Sequence, residues 1–243
     1  MIIKIKLKAR EQTVLLPKSY NHILQAFFYE NMDPYISKFL HDIGFLYGKR
    51  RFKLFTFSKV IAKMLRKTES MLIFEGDLTL YFASPLIDIV KSHLTMLLKR
   101  DNLFLGKNKV YLENIETIEP TEEEEITVKC LSPITVYRTP KGDKRFHYLN
   151  PFQEEFYELL KKNLLKKFNL IYGRNYEGEL TIELVKIREN HKKKILFKGT
   201  LIEAWEGYFK VKATPEMVRL IQEAGLGSKN SAGFGMVMPE SKV

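Results

Sequence analysis

The order of strand-like and helix-like patterns is nearly the same in the two halves of this chain, and this order restricts the possible folds more than any other feature. Residues 2–8 alternate apolar residues with lysines, which is the pattern of a half-buried strand. In the first half, the patterns predict strands at 2–8, 53–57, 71–75, 79–83 and 109–118, and helices at 21–31, 34–42 and 85–99. In the second half, they predict strands at 126–131, 134–138, 179–188, 194–211 and 234–238, and helices at 151–169 and 214–225. Each half therefore approximates the β-α-β-β-α-β order of the ferredoxin-like unit.

A change in composition separates the two halves. Residues 120–125 contain a proline and four consecutive glutamates, and they interrupt the apolar periodicity. We expect an N-terminal ferredoxin-like domain at 1–121 and a C-terminal one at 122–243. The predicted fold class is α+β, with tandem ferredoxin-like (RRM-like) domains and a C-terminal glycine-rich loop. RNA-recognition domains use the same unit.

The charge of the chain favours an anionic partner. Forty Lys and Arg against 29 Asp and Glu leave a formal net charge of +11. Such a surface attracts polyanions, so nucleic acid is the first candidate and an anionic membrane surface the second. A generally basic proteome is the alternative that needs no partner. The single cysteine, Cys130, excludes a disulfide framework and favours the cytoplasm. No apolar run approaches the roughly 18 residues of a membrane span, so no membrane-spanning segment is predicted, and nucleic acid is preferred to a membrane as the partner.

Four glycines in eleven residues stand close to the C-terminal end, at 225, 227, 233 and 235. Glycines let a backbone approach a ligand closely, and successive N–H groups can form a concave anion site. Lys229 adds a charge, and the side chains between the glycines add hydrogen-bonding groups. A helix C-cap followed by a tight turn is the alternative. The predicted phosphate-binding residues are Gly225, Gly227, Ser228, Lys229, Asn230, Ser231, Gly233 and Gly235.

Helical geometry selects two candidate catalytic residues. At about 100° per residue, Tyr29 projects roughly 170° from the apolar stripe of its helix, and His41 roughly 160° from the stripe Ile36, Phe39, Leu40 and Ile43. Both are therefore predicted to face a substrate; a packed tyrosine and a solvated histidine are the alternative. The basic run Lys49, Arg50, Arg51 and Lys53 follows and could hold a phosphate.

Neither a metal site nor a cofactor site is predicted. The five histidines include no pair at i, i+4, and there is no cysteine cluster. The glycines follow a helix and precede a strand, which is the reverse of the dinucleotide-binding order, and no Gly-Lys-Ser/Thr sequence is present. RNA needs no metal to be cut, because its own 2′-hydroxyl can attack the adjacent phosphate. A base, an acid and a cation suffice, and His, Tyr and Lys can supply them.

The segment Gly-x-Gly-x-x-x-x-x-Gly-Phe-Gly after a short helix resembles the glycine-rich loop of the RAMP superfamily. Tyr20-Asn21-His22, residues 53–58 and residues 131–134 extend the resemblance, over nearly the whole chain, to the CRISPR repeat-processing endoribonucleases, the Cas six family. The resemblance implies a metal-independent endoribonuclease that cleaves the precursor transcript to 2′,3′-cyclic phosphate and 5′-hydroxyl ends.

The same resemblance implies Tyr29, His41 and Lys53 as the catalytic trio and CRISPR repeat RNA (pre-crRNA) as the partner, without cofactor or metal. The CRISPR effector complex is a further candidate partner, and the chain is expected to be a monomer or a homodimer. Lys161, Lys162, Lys166, Lys167 and Lys192 to Lys194 are further candidate phosphate contacts, and lysines that merely solvate the surface are the alternative. His22 is the rival histidine. The alternative function is a non-catalytic RAMP-type subunit that holds RNA in an effector complex, and a basic ribosome- or DNA-associated protein is a more distant one.

Overall fold

A computed structural model describes residues 1–140, 142 and 145–242. The first half contains β1 (Ile2–Pro17), α1 (Asn21–Glu30), α2 (Pro34–Asp42), β2 (Phe45–Tyr47), β3 (Arg50–Phe52), β4 (Thr56–Phe57), β5 (Met64–Lys67), β6 (Met71–Ala83), α3 (Ile87–Lys99), β7 (Leu103–Leu105) and β8 (Asn108–Ile118). The second half contains β9 (Glu125–Cys130), β10 (Tyr137–Arg138), β11 (His147–Tyr148), α4 (Glu154–Tyr172), β12 (Thr181–Lys186), β13 (Lys192–Phe197), β14 (Thr200–Trp205), β15 (Tyr208–Lys212), α5 (Pro215–Ala224) and β16 (Val237–Pro239).

Two main antiparallel sheets have the same topology, and the pairs β2–β3, β10–β11 and β13–β14 form separate two-stranded sheets. The first has the order β4-β6-β1-β8-β7, and β5 also pairs with β6; the second has the order β12-β15-β9-β16. In each sheet, the first strand of the unit lies between the third and the fourth. Helices α1 and α3 cover one face of the first sheet, and α4 and α5 pack on the second. The predicted α+β fold with tandem ferredoxin-like domains is therefore confirmed. The boundary between residues 121 and 122 remains our proposal; it lies in the segment that joins β8 to β9.

The prediction of two separate strands at 71–75 and 79–83 is wrong, because β6 runs unbroken through Gly76 and Asp77. The pairing of β1 with β6 shifts register between Lys8 and Thr13, so β1 bulges opposite Gly76. A Cβ on Gly76 would lie 3.0 Å from the Gln12 carbonyl oxygen. The glycine therefore accommodates the close approach of the bulged strand.

The predicted strand at 194–211 is also wrong. A turn at Lys198 and Gly199, with φ of +47° and +80°, closes the hairpin β13–β14. The partner of β12 is the separate strand β15. In α2, the predicted core stripe is only partly buried: Leu40 is fully buried, whereas Phe39 is 37% exposed and Ile43 51% exposed.

None of the helices described is long and apolar enough to cross a membrane.

Candidate active site

His41 lies in the last turn of α2, where its side chain is 69% exposed. Asp33 fixes the start of this helix, because its carboxylate accepts hydrogen bonds from the N–H groups of Tyr35 and Ile36, at 2.9 and 3.4 Å. Pro34 suits the first turn, which needs no N–H donor. The helix thus begins where the sequence predicts, and His41 faces away from the core.

The carboxylate of Asp42 orients the imidazole of His41. Nδ1 of His41 lies 2.8 Å from Oδ1 of Asp42. A carboxylate only accepts hydrogen bonds, so Nδ1 carries the proton of the neutral ring and Nε2 keeps its lone pair. Hydrogen bonds from His41 and Lys38 hold the pKa of Asp42 below its usual value. Asp42 is not among the predicted site residues, since adjacent residues of a helix do not normally face each other.

Two cations lie against the C-terminal end of α2. Lys53 Nζ donates to the His41 carbonyl at 2.8 Å, and Arg51 Nη1 donates to the Asp42 carbonyl at 2.9 Å. The last carbonyls of a helix have no partner within it and carry partial negative charge, so cations are stabilised there. Burial and, to a lesser extent, the charge of Arg51 lower the pKa of Lys53.

A break in the predicted strand 53–57 lets the chain turn at this point. Only Thr56 and Phe57 form a strand. Leu54 has a φ of +53°, a left-handed conformation that is uncommon without glycine. The side chain of Leu54 is buried, and its carbonyl accepts a hydrogen bond from the Ser84 hydroxyl at 2.7 Å. Burial of its side chain and the hydrogen bond from Ser84 thus hold Leu54 in this conformation.

Gly44 makes room for the Lys53 side chain. Its φ is +67°, and a Cβ there would lie 2.6 Å from the Phe52 carbonyl oxygen and 3.0 Å from Lys53 Cδ. The lysine therefore runs along bare backbone at the end of α2.

Tyr29 contacts His41 on one side and the glycine-rich segment on the other. Its ring centroid lies 5.9 Å from that of His41 and 5.5 Å from that of Phe55, edge to face in both cases. Its hydroxyl shares a hydrogen bond with the Ser231 side chain, and burial raises its pKa to about 12. Tyr29 is therefore half-buried, where the sequence predicted a side chain open to substrate.

The amide side chains of α1 bind the glycine-rich segment directly. Nδ2 of Asn21 donates to the carbonyls of Ala232 and Gly233, both at 3.0 Å, and Nε2 of Gln25 donates to the Ser231 carbonyl at 2.7 Å. The segment thus lies against the helix that carries Tyr29, although nearly 200 residues separate them in sequence.

The glycines of this segment pack against the protein's own backbone and side chains. All four are buried with positive φ. A Cβ would lie 1.8 Å from the Leu226 oxygen at Gly235, 2.6 Å from the Thr135 oxygen at Gly227, and 2.7 Å from a Phe57 ring atom at Gly233. A Cβ on Gly225 would lie 2.7 Å from the Gly235 oxygen. The expectation that these glycines bare the backbone for a ligand is thus corrected: their close contacts are internal.

A buried lysine holds the same segment from inside. Lys167 Nζ donates to the carbonyls of Gly225 and Ala224, at 2.7 and 3.1 Å, and to Oδ1 of Asn230 at 2.8 Å. The Asn230 amide in turn donates to the Leu226 and Phe234 carbonyls, both at 3.0 Å. Burial lowers the pKa of Lys167 to about 7. Lys167 is therefore not the phosphate contact that the sequence predicted, and the Asn230 side chain is committed to the fold of the loop.

A basic cleft of about 400 Å³ lies between the glycine-rich segment and the hairpin β2–β3. Among the described residues that line it, none is acidic. We call it the basic cleft; its cations are Arg50, Arg51, Lys53, Lys167 and Lys229.

A second cleft, of about 630 Å³, opens on the other side of Tyr29. His22, Tyr29 and His41 line it together with Lys198 from the β13–β14 turn. We call it the histidine cleft. The His22 Nδ1 atom lies 3.0 Å from the Ser19 carbonyl, to which it can only donate, so His22 also keeps Nε2 free. The predicted trio thus lies together but between two clefts, with Lys53 on the basic side.

Several other lysines that were predicted to contact phosphate line neither cleft. Lys49 occupies the tip of the hairpin β2–β3 and is exposed. The lysines of β13 pair with carboxylates: Lys192 and Lys194 with Glu203, and Lys193 with Glu206. In the described part of the chain, no three His, Cys, Asp or Glu side chains lie close enough together to hold a metal ion.

Comparison with known proteins gives a consistent family. The protein-family model described as CRISPR associated protein Cas6, C-terminal, matches residues 115–239. The family model described as CRISPR-associated protein Cas6, N-terminal, matches residues 15–116. The chain is 29% identical over 246 residues to the CRISPR-associated endoribonuclease Cas6 1 of Methanocaldococcus jannaschii, an alignment that covers 98% of this chain and 92% of that protein.

Solved structures agree over the same length. One from the characterization of a Cas6-related gene from Pyrococcus furiosus superposes with a TM-score of 0.84 at 26% identity, covering 100% of this chain and 99% of that one. Another, described as a RAMP protein binding different RNA substrates, gives 0.83 at 25% identity, covering 98% and 99%. Because the C-terminal family model alone matches more than half of the residues, this chain belongs to the Cas6 family.

Proposed function

We propose that this protein is a metal-independent endoribonuclease that binds CRISPR repeat RNA and cuts the precursor transcript during crRNA maturation. The observation that carries the proposal is the grouping of Tyr29, His41 and Lys53 beside a cleft whose described lining has no acidic residue. The names of the Cas6 relatives support the same reaction class.

In this reaction the 2′-oxygen attacks the adjacent phosphorus, and the bond from phosphorus to the 5′-oxygen breaks. One proton leaves the 2′-hydroxyl and another reaches the 5′-oxygen, so the products are a 2′,3′-cyclic phosphate and a 5′-hydroxyl. We assign the proton transfer to Nε2 of His41, because Asp42 holds the ring in the tautomer that leaves this nitrogen free. His41 thus acts as the general base or the general acid of the reaction.

Tyr29 and Lys53 complete the site. Because burial raises its pKa to about 12, the Tyr29 hydroxyl stays protonated at neutral pH. It therefore suits a hydrogen-bond donor that orients the ribose or the phosphate. Lys53 supplies the positive charge that stabilises the phosphorane, and its contact with the His41 carbonyl keeps it next to the histidine. For RNA contacts we retain Lys49, Arg50, Arg51, Ser228, Lys229 and Ser231.

His22 is an alternative to His41 as the catalytic histidine, because it lines the same cleft and also has an Nε2 without a hydrogen-bond partner among the described residues. The variants His41→Ala and His22→Ala separate the two. Loss of a general acid or base costs about 10²–10⁴ in rate, so we expect His41→Ala to slow cleavage by that factor with RNA affinity almost unchanged. His191, which lines neither cleft, is the matched control. Normal cleavage by His41→Ala together with slow cleavage by His22→Ala would transfer the role to His22.

The decisive experiment incubates the purified protein with labelled repeat RNA in EDTA. We expect one cut, with a 2′,3′-cyclic phosphate on the upstream fragment, and no cut when the nucleotide before the scissile bond is 2′-deoxy. Loss of cleavage on chelation would refute the metal-free scheme. Tight binding of repeat RNA with no cleavage under any condition would indicate the non-catalytic RAMP-type subunit instead.

A further inference from the structure

Two rings of an aromatic cluster, Tyr137 and Phe146, line the basic cleft. The rings of Tyr137 and Phe146 lie 4.7 Å apart, and Tyr148 lies 5.8 Å from Tyr137 and 6.3 Å from Phe146. Tyr137 belongs to β10 and Tyr148 to β11, and Phe146 directly precedes β11. These two strands pair with each other and with neither main sheet. The proposed cleavage chemistry uses none of them.

Lys229 of the glycine-rich segment points its ammonium at this cluster. Its Nζ lies 4.8 Å from the ring centroid of Phe146 and 5.2 Å from that of Tyr137. Its backbone has a φ of +60°, so the surrounding segment holds this lysine in a conformation that only few non-glycine residues adopt. Burial lowers its pKa. A cation over two rings, in a cleft without described carboxylates, is a favourable place for an anion.

The Phe146 side chain is only partly used by these contacts. The residue is 40% exposed, so ring surface remains beyond what Lys229 and Tyr137 cover. Every nucleobase has a flat π-face that stacks on an aromatic ring, and the phosphate attached to the same nucleotide pairs with a cation. A nucleotide therefore satisfies both exposed groups at once, whereas a free anion satisfies only the lysine.

We propose that Phe146 and Tyr137 form a stacking site for one unpaired base of the bound RNA, and that Lys229 and Arg50 hold the phosphate of the same nucleotide. The inference rests on the proposed function, since it assigns a subsite for the same RNA. Lys53 and Ser231 also line this cleft, and they contact His41 and Tyr29 respectively. The stacked nucleotide therefore lies next to the scissile phosphate and fixes the register of the cut.

The test uses repeat RNA with a 2′-deoxy nucleotide at the cut, which can bind but not react. One base at a time is replaced by an abasic site, and affinity is measured for the wild type and for Phe146→Ala. Stacking of one base changes affinity by about 5- to 150-fold. We expect one abasic position to weaken wild-type binding by that factor and to have no effect on Phe146→Ala. Equal losses at every position in both proteins would overturn the proposal.

Three further variants separate stacking from a structural role. Phe146→Tyr keeps the ring and should bind normally. Phe146→Leu keeps an apolar side chain but no ring, and should lose as much as Phe146→Ala. Phe104→Ala, at a phenylalanine that is 52% exposed on β7 and lines neither cleft, is the matched control and should bind normally.

The salt dependence of binding gives an independent readout. Removing a phosphate contact, as in Lys229→Ala, lowers the slope of log K against log salt by about 0.7–1. Loss of stacking leaves that slope unchanged, so Phe146→Ala should bind more weakly with the wild-type slope. A reduced slope would mean that Phe146 only positions Lys229, and the stacking site would be refuted. A wild-type protein that does not bind repeat RNA at all would instead refute the proposed function.

Discussion

The variant Lys167→Met tests whether the glycine-rich segment is held from inside. An ammonium has three hydrogens, and three oxygens lie within 3.1 Å of Nζ: those of Gly225, Ala224 and the Asn230 side chain. Methionine has a similar length and no donor. The variant therefore removes these three hydrogen bonds and a longer one, of 3.5 Å, to the Gly227 carbonyl, with little change in packing.

The expected cost follows from these contacts. A hydrogen bond from a charged group contributes about 1.5–3 kcal/mol, so three give roughly 4–9 kcal/mol. Removing a buried charge returns several kcal/mol of desolvation. We expect a net loss of about 2–4 kcal/mol in the free energy of unfolding, which for a chain of this size lowers the melting temperature by roughly 5–15 °C.

Urea titration and thermal melting measure the global effect, and amide hydrogen exchange measures the local one. The exchange-protected groups to follow are the N–H groups of Leu226 and Gly235, which donate to the Gly235 and Pro133 carbonyls. The matched control is Lys166→Met, one residue away and only half-buried, which should stay within about 0.5 kcal/mol of the wild type. Unchanged stability and unchanged protection in Lys167→Met would refute the reasoning.

The same lysine predicts a pH dependence. Burial places its folded-state pKa, about 7, below the ordinary 10.5 of the unfolded chain. Between these two values the folded state binds fewer protons than the unfolded state, so this group makes stability rise with pH across that window, by at most about 1.4 kcal/mol per pH unit. Below pH 7 its contribution is constant. Lys167→Met should lack this rise, and an identical pH profile in both proteins would contradict the assignment.

Two further predictions follow from the site. Gly235→Ala should lower the free energy of unfolding by more than about 3 kcal/mol in a urea titration, because a Cβ would lie 1.8 Å from the Leu226 oxygen. Gly173→Ala, with a similar φ but open space around it, should lower it by only about 1–2 kcal/mol. Equal losses would refute the packing argument. Asp42→Asn keeps the shape but removes the charge that orients His41, so the cleavage rate should fall at least about 10-fold with RNA affinity unchanged, and a normal rate would exclude that orienting role.

Local periodicity and capping were enough to predict most helices and the outline of both domains. The Asp33-Pro34 start of α2 and the Pro215 start of α5 agree with the structure within a residue. The turn at Lys198 and Gly199 was missed, because an alternating pattern passes through a tight hairpin without interruption. The positive φ of Leu54 was missed too, since the hydrogen bond that its carbonyl accepts comes from Ser84, thirty residues away.

The sequence contained a signal for the burial of Lys167 that the prediction did not use. The buried face of α4 contains Phe156, Leu160, Leu164 and Phe168, spaced by four residues, and Lys167 lies three residues after Leu164 on this face. A lysine on a buried stripe predicts a buried ammonium with fixed acceptors. Which acceptors these are could not be predicted, because they lie near residue 225 and reach α4 only in the folded chain.

The glycine-rich segment and the proposed catalytic residues form one unit. The segment's carbonyls accept from Asn21 and Gln25 of α1, and its Ser231 hydroxyl bonds to Tyr29 on the same helix. A change that loosens the segment therefore also removes contacts that hold Tyr29 in place, although the apolar face of α1 stays packed in the core. If the segment only bound RNA, its variants would lower the affinity for RNA without altering the rate of cleavage at saturating RNA. The contacts with α1 predict the opposite: variants of the segment should lower both.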